Sequence, residues 1–275
     1  LQSTPVKIFV DYMKKYFIIT ISIILIALLV KLGLYSYYTE PAMLNITRYK
    51  LQDEQLSGIK IAFPSDFHVR PYQKERLNDI VQIINEENPD VVLSCGDYVA
   101  GHTKNVTMQI EEIAQDLSKI KSKHGFYTVL GNHDGWYGNE RIKKALTANG
   151  IKVLDNKNAI VNINGKKVYI AGVEDIMTGK PNISLALKDT NQPTIFLTHS
   201  PDLFPDIPKV VNLTLAGHTH GGQIRIPIID KPIFTASKYY DRYCKDLIVE
   251  NGKKMIVSRG IGVSIIPVRF NCVPE

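Results

Sequence analysis

From residue 59 onward, short apolar runs alternate with stretches whose apolar side chains recur at helical spacing. Residues 59–63 read as a strand. Residues 75–88 carry Leu77, Ile80, Val81, Ile83 and Ile84 at the three- and four-residue intervals of an amphipathic helix. Residues 91–93 are a second strand-like run, 106–120 a second amphipathic stretch and 126–130 a third run; 139–148 read as a helix ended by Asn149-Gly150. This β-α-β-α-β order predicts parallel strands joined by helical crossovers. The second half changes character. Residues 159–163 and 167–171 flank Asn164-Gly165, and residues 246–250 and 254–258 flank Asn251-Gly252. Asn-Gly supplies the positive φ angles of a type I′ turn, so each pair predicts a β-hairpin. Between the hairpins, 194–197 and 213–216 read as further strands. The expectation is an α/β fold of two sheets with helices outside them.

The polar residues that end these runs bring in chemistry. The runs lead in turn to Asp66-Phe67-His68, Gly96-Asp97, Gly131-Asn132-His133-Asp134, His199 and Gly217-His218-Thr219-His220. Open α/β sheets place their sites beyond the carboxyl ends of strands, and each cluster sits there. One such cluster alone is a weak signal, but all five together are specific. Carboxylate oxygen, amide oxygen and imidazole nitrogen form a ligand set that Mn²⁺, Fe²⁺ and Zn²⁺ accept. Collecting so many desolvated polar groups at one rim would be costly without a cation to pair them. Two such ions have one dominant use, the activation of water against a phosphorus ester, and a carboxylate can bridge them because it has two oxygens. A protonated His133 could assist the leaving group, an effect of about 10²–10⁴-fold; a structural hydrogen bond is the alternative. Trp136, the only tryptophan, follows three residues later. Residues 224–243 form a long apolar and aromatic loop with Lys231, Lys238 and Arg242. Together they predict a lip for a lipid-linked phosphoester, with ordinary packing over the sheet edge as the equal alternative.

A chain of 275 residues with 44% hydrophobic content can bury one large core. Its net charge of +6 suits an anionic membrane surface or a phosphate-bearing substrate, with an ordinary Lys-rich surface as an alternative of at least equal standing, and is too diffuse to predict nucleic acid as a partner. Cys95, Cys244 and Cys272 show no CxxC pairing, which argues against a disulfide framework and a thiolate metal site.

Ahead of the domain, residues 16–30 read YFIITISIILIALLV, without a charge. Extended to Tyr35 the segment predicts a helix of roughly 30 Å, enough to cross a hydrocarbon core. Lys31 lies near one end, where its stem can snorkel, and Tyr16, Tyr35, Tyr37 and Tyr38 stand at the two ends like an aromatic belt. A cleaved signal peptide would need a small-x-small site, which does not follow, and a buried soluble helix would show a polar face. The predicted organisation is a tail (1–15), a transmembrane anchor (16–35), a linker (36–57) and a domain (58–275). This predicts a single-pass protein of the cell membrane with the lipid bilayer as partner. Lys7, Lys14 and Lys15 before the span, against Lys31, Arg48 and Lys50 after it, favour the N-terminus inside by a thin margin.

On its five clusters, the sequence from residue 59 to the C-terminus resembles the calcineurin-like metallophosphoesterase superfamily. The resemblance implies a four-layer αββα sandwich, two mixed sheets flanked by helices. It implies two divalent ions (Mn, Fe or Zn), one held by Asp66, His68 and His220 and the other by Asn132, His199 and His218, with Asp97 bridging. It also implies that His133 contacts the phosphate and helps the leaving group depart. The N-terminal span, His199-Ser200-Pro201-Asp202, Gly217-His218-Thr219-His220-Gly221-Gly222-Gln223 and Ser258-Arg259-Gly260-Ile261-Gly262 resemble the membrane-anchored bacterial branch, whose members are described as phosphodiesterases. That branch implies hydrolysis of a phosphodiester or pyrophosphate in a lipid-linked or nucleotide-linked envelope precursor, such as UDP-2,3-diacylglucosamine in lipid A biosynthesis. It also implies one further strand after Pro274-Glu275. The rivals are an envelope phosphodiesterase of other substrate, a nuclease or protein phosphatase on the same fold, and a catalytically silent, membrane-tethered binding module. A silent module would be expected to lack ligands or His133, and none is missing.

Overall fold

The apolar runs become two sheets laid face to face. In the computed structural model, which describes residues 5–101, 105–191 and 193–275, the first sheet is β1 (Ile61–Ala62), β2 (Val91–Ser94), β3 (Phe126–Thr128) and β4 (Ile151–Val153), all parallel and paired in that order. The second half supplies β5 (Lys157–Ile163), β6 (Lys166–Gly172), β7 (Thr194–Thr198), β8 (Leu213–Ala216), a separate hairpin of β9 (Arg225–Ile226) and β10 (Lys231–Pro232), then β11 (Asp246–Glu250) and β12 (Lys253–Val257). Six of these make a mixed sheet in the order β11-β12-β8-β7-β6-β5, parallel across β12, β8, β7 and β6 and antiparallel at both edges.

Alternation along each strand decides which layer a side chain joins. Val91 and Leu93 face the space between the sheets, where they meet Val168, Ile170, Ile195, Leu197 and Leu215. Val92 points the other way, into the helical layer of α2 (Lys74–Glu86), α3 (Ile110–Leu117) and α4 (Asn132–Ala148). On the far side of the second sheet, Phe196 and Ala171 pack against Ile207 and the short α5 (Ile183–Ala186). The layers are therefore helix, sheet, sheet, helix: the αββα sandwich with mixed α/β topology.

Both Asn-Gly turns are hairpins, with positive φ at Asn164 and Gly165 and at Asn251 and Gly252. Other boundaries differ from the sequence reading. Strand 59–63 narrows to two paired residues, and the 106–120 helix to Ile110–Leu117. β4 carried no signal of its own. The helix expected at 139–148 begins at Asn132, with a break at Gly138 (φ 133°). Its early start has a local cause. The Asp134 carboxylate accepts the Gly131 N–H at 3.0 Å, capping a turn whose polar composition reads as loop.

The apolar N-terminal segment is one helix, α1 (Pro5–Leu34), continued by a wide π-helical turn at Tyr35–Thr39 and a tighter 3₁₀ turn at Glu40–Ala42. Its apolar surface from Phe9 onward is exposed, and it is long and apolar enough to cross a membrane. Residues 1–4 of the expected tail lie outside the described residues. The expected linker lies against the domain. Buried Glu40 accepts the N–H groups of Asn271 (3.1 Å) and Cys272 (2.5 Å), Asn45 N–H donates to the Pro274 carbonyl (2.8 Å), and Tyr49, Leu51 and Leu56 pack on the inter-sheet core.

Candidate metal centre

Parallel strands aim their carboxyl ends at one rim, and the sheets contribute half the site each. Asp66 and His68 follow β1, Asp97 follows β2, and Asn132 and His133 open α4 just after β3. From the second sheet, His199 follows β7, and His218 and His220 follow β8. All lie within a few ångströms of one another. His220 Nε2 is 3.0 Å from His68 Nε2, and Asp66 Oδ1 is 3.7 Å from His220 Nε2. On the other side, His199 Nε2 is 2.9 Å from Asn132 Oδ1 and 3.1 Å from His218 Nδ1. Asp97 Oδ2 sits between these groups, 3.4 Å from His68 Nε2 and 3.3 Å from His199 Nε2. All of these side chains are buried except the partly exposed His218.

The backbone is bent to make this convergence. Asp66, His68, Asp97, His218 and His220 all have φ between 43° and 71°, the left-handed region that non-glycine residues rarely enter. Each such residue costs on the order of 1–3 kcal/mol and persists only where surrounding structure over-determines it. Two glycines admit the close approach. A Cβ on Gly131 would fall on Asp97 Oδ1 and lie 2.6 Å from His199 Cε1; one on Gly217 would strike Asp66 Oδ2 and lie 2.8 Å from Ser65 Oγ.

The donor atoms fit a cation. Two pairs of imidazole nitrogens face each other at hydrogen-bond distance, an arrangement that needs a shared proton or a metal between them. Asp66 Oδ2 and His68 Nδ1 are buried without a hydrogen-bond partner among the described residues. His199 Nδ1 donates to the Cys95 carbonyl at 2.7 Å, which turns its Nε2 lone pair toward the site. Among the described residues, three groups of acidic and imidazole side chains are compact enough to hold a metal: Asp66, His68 and His220; His68, Asp97 and His133; and Asp66, Asp97 and His199. Electrostatics agree. Burial opposes a charge on His199, yet the Asp97 and Asp66 carboxylates push its pKa up to about 10, so the cluster calls for positive charge there. Burial and the neighbouring His199 bring His218 down to about 4. Burial with His68 and Arg269 depresses His220 well below its ordinary value, so both keep free lone pairs. Burial raises Asp66, with the like charge of Asp97 adding to it, whereas His199 and His68 hold Asp97 well below the carboxylate range despite its burial.

His133 lies at the mouth. Its backbone N–H donates to Asp97 Oδ1 at 2.8 Å, its Nε2 is 3.2 Å from Ser264 Oγ, and its ring lies 5.2 Å from that of Trp136, which is 42% exposed. Of the expected lip, Lys231 is exposed on the β9–β10 hairpin, while Arg242 is turned away into an ion pair with Glu250.

Three supporting residues were not singled out by the sequence reading. Asp134 accepts N–H groups from Asp97 (2.7 Å), Tyr98 (2.9 Å) and Gly131, tying the tips of β2 and β3 together; burial and the Asp97 charge raise it to about 7. The capping position of an acid three residues after Gly131 was the available signal. Ser264 and the fully buried Arg269 lie in a terminal segment without periodicity. Arg269 Nη2 donates to the carbonyls of Arg259 (2.8 Å), Gly260 (2.8 Å) and Gly262 (2.5 Å), holding that loop against His220 and His68.

The sequence profile of the calcineurin-like phosphoesterases matches residues 59–222. An uncharacterized metallophosphoesterase of Bacillus subtilis strain 168, YkuE, is 32% identical over 253 residues, covering 88% of this chain and 86% of its own. The phosphodiesterase YaeI of Escherichia coli K12 is 29% identical over 250 residues, covering 88% and 89%. A zebrafish (Danio rerio) transmembrane protein with a metallophosphoesterase domain is 29% identical over 232 residues, covering 74% of this chain and 50% of its own. Among solved structures, the NAD nucleotidase NadN of Haemophilus influenzae superposes with a TM-score of 0.50 at 16% identity, over 74% of this chain and 45% of that one, a likeness of fold. With its sandwich, its strand-tip cluster of Asp, Asn and His and these relatives, the chain belongs to the calcineurin-like metallophosphoesterases, metal-dependent hydrolases of phosphoric esters.

Proposed function

We propose that the protein is a membrane-anchored phosphoesterase that uses two divalent ions, of Mn, Fe or Zn type, to cleave a phosphodiester or pyrophosphate bond in a lipid-linked or nucleotide-linked envelope precursor. The observation that carries it is the position of Asp97, one carboxylate oxygen within 3.4 Å of imidazole nitrogens from both halves of the site. Asp66, His68 and His220 would hold one ion and Asn132, His199 and His218 the other, with Asp97 shared. Such ions, when bound, lower the pKa of water and offset charge on the phosphoryl oxygens. The chain's own residues do the rest. Asn132 adds a ligand without adding charge, leaving the site cationic enough to attract phosphate. Asp97 holds the His133 backbone through its Oδ1, so the imidazole stands at the mouth, where a leaving oxygen would need a proton. Trp136 lines the same mouth and would contact the part of the substrate beyond the phosphate. YaeI bears a phosphodiesterase name, which supports the diester class. The exposed apolar α1 supports the anchor.

The test is metal content with turnover. The purified full chain should bind two equivalents of Mn²⁺ by elemental analysis, hydrolyse a chromogenic phosphodiester, and lose that activity to chelation. Asp97→Asn should lose both metal and turnover. Tight binding of two metals without turnover of any diester or diphosphate would instead favour a silent binding module. Trp136→Ala should slow cleavage of a lipid-linked diphosphate more than that of a small soluble diester; equal slowing would remove Trp136 from substrate selection.

A further inference from the structure

We infer that the rim beside the metal centre is a bilayer-docking surface, seated on the same leaflet that receives α1; this rests on the anchor proposed above. Three stretches of chain form one continuous edge. At the end of α1, the Ser36 carbonyl accepts the Arg269 N–H at 2.9 Å, and Glu40 accepts the next N–H groups along. That strand of chain in turn lies beside the start of the β9–β10 hairpin: Phe270 N–H donates to Gln223 O, and Arg225 N–H to Phe270 O, both at 2.9 Å. Ser264 N–H donates to Gln223 Oε1 at 2.7 Å.

Along this edge the chain displays Ile228, Ile229, Ile233, Phe234, Ile265 and Ile266 to solvent, Ile265 at 83% and Phe234 at 70% exposure. Exposed apolar side chains gathered in one place mark an interaction surface, where scattered ones would not. The hairpin that carries four of them is braced. Buried Arg225 spans it, pairing with Asp230 at 2.7 Å and Asp241 at 2.9 Å and donating to the Gly221 carbonyl at 2.8 Å. The isoleucines are thus held outward by built structure.

The occupant follows from what adjoins the edge. Only residues 35–39 separate the end of α1 from the buried Glu40, about 9 Å of helical rise, so the edge cannot lie far from where the span leaves the bilayer. Tyr37 and Tyr38, exposed at that point, suit headgroup depth. Lys231, exposed among the isoleucines, suits a lipid phosphate. The edge also reaches the chemistry, because Ser264, whose Oγ lies 3.2 Å from His133 Nε2, is the residue before Ile265. Docked this way, the metal centre opens at the membrane surface and takes its phosphoester from lipid in that leaflet.

The test uses the full chain in phosphatidylcholine vesicles brominated on the acyl chains, whose quenching of tryptophan is short-range. In a Trp136→Phe background, single reporters are placed by Phe17→Trp in α1, Phe234→Trp on the edge and Val210→Trp before β8, at the opposite end of that strand from His218. Docking predicts fluorescence loss at Phe17→Trp and Phe234→Trp with none at Val210→Trp. Quenching at Phe17→Trp alone overturns docking and leaves the anchor intact; quenching at none of the three overturns both. Equal quenching at all three means non-specific embedding and overturns docking. So does a Phe234→Trp reporter shielded from both lipid bromine and aqueous iodide, which would mean that protein covers the edge.

Discussion

His133 touches the centre through its backbone and the mouth through its ring, so on the proposed reading one residue separates metal holding from proton delivery. His133→Gln keeps the N–H that donates to Asp97 Oδ1 and removes the ionisable ring. Its metal content should match the parent's while kcat falls about 10²–10⁴-fold on a diester with a poor leaving group. The deficit should shrink for a nitrophenolate leaving group, which needs no proton. An equal loss for both leaving groups would reduce the residue to a structural hydrogen bond. The residues that converge at the strand tips were readable in the sequence because each ends an apolar run, and burial makes such runs conspicuous. The left-handed backbone at Asp66, His68, Asp97, His218 and His220 was not, since Asp and His enter that region more often than most residues but far too seldom to mark it.

At the scale of elements, strand type and sheet partition followed from periodicity and from two Asn-Gly turns, whereas the start of α4 did not. Residues 132–138 are polar and carry two glycines, so no apolar stripe announces a helix. The turn forms because Asp134 satisfies three backbone N–H groups, those of Asp97, Tyr98 and Gly131. Asp134→Ala would leave these buried donors without their acceptor, at about 1–3 kcal/mol each before relaxation. The expected result is a loss of several kcal/mol in urea unfolding, together with weakened metal retention, because both strand tips loosen. Retention of metal at parental affinity would show that the tips hold their positions without it.

For the whole molecule, the sequence placed a span before a domain but left the connection between them as a linker. Its docking depends on particular pairs, Glu40 with the backbone at 271–272 and Asn45 with Pro274, which leave no periodic trace. The terminal segment was opaque for the same reason, its structure resting on Arg269 and its carbonyl partners. Glu40→Ala removes a buried acceptor for two N–H groups and should release residues 43–58 from the domain. Limited proteolysis would then cut that stretch faster while turnover of a small soluble diester stays near the parent's. Unchanged cleavage would mean that Tyr49, Leu51 and Leu56 hold the segment unaided.

The division of the proposed ligands between the sheets bears on how the chain matures. During synthesis, Asp66, Asp97 and Asn132 leave the ribosome 67 residues or more before His199, His218 and His220. The nascent first half offers Asp66, His68, Asp97, Asn132 and His133, without the three imidazoles that complete the proposed two-ion set. On the proposed reading, the full ligand set is therefore assembled only after the second sheet closes over the first. A polypeptide interrupted before His199 would lack three of the seven proposed ligands.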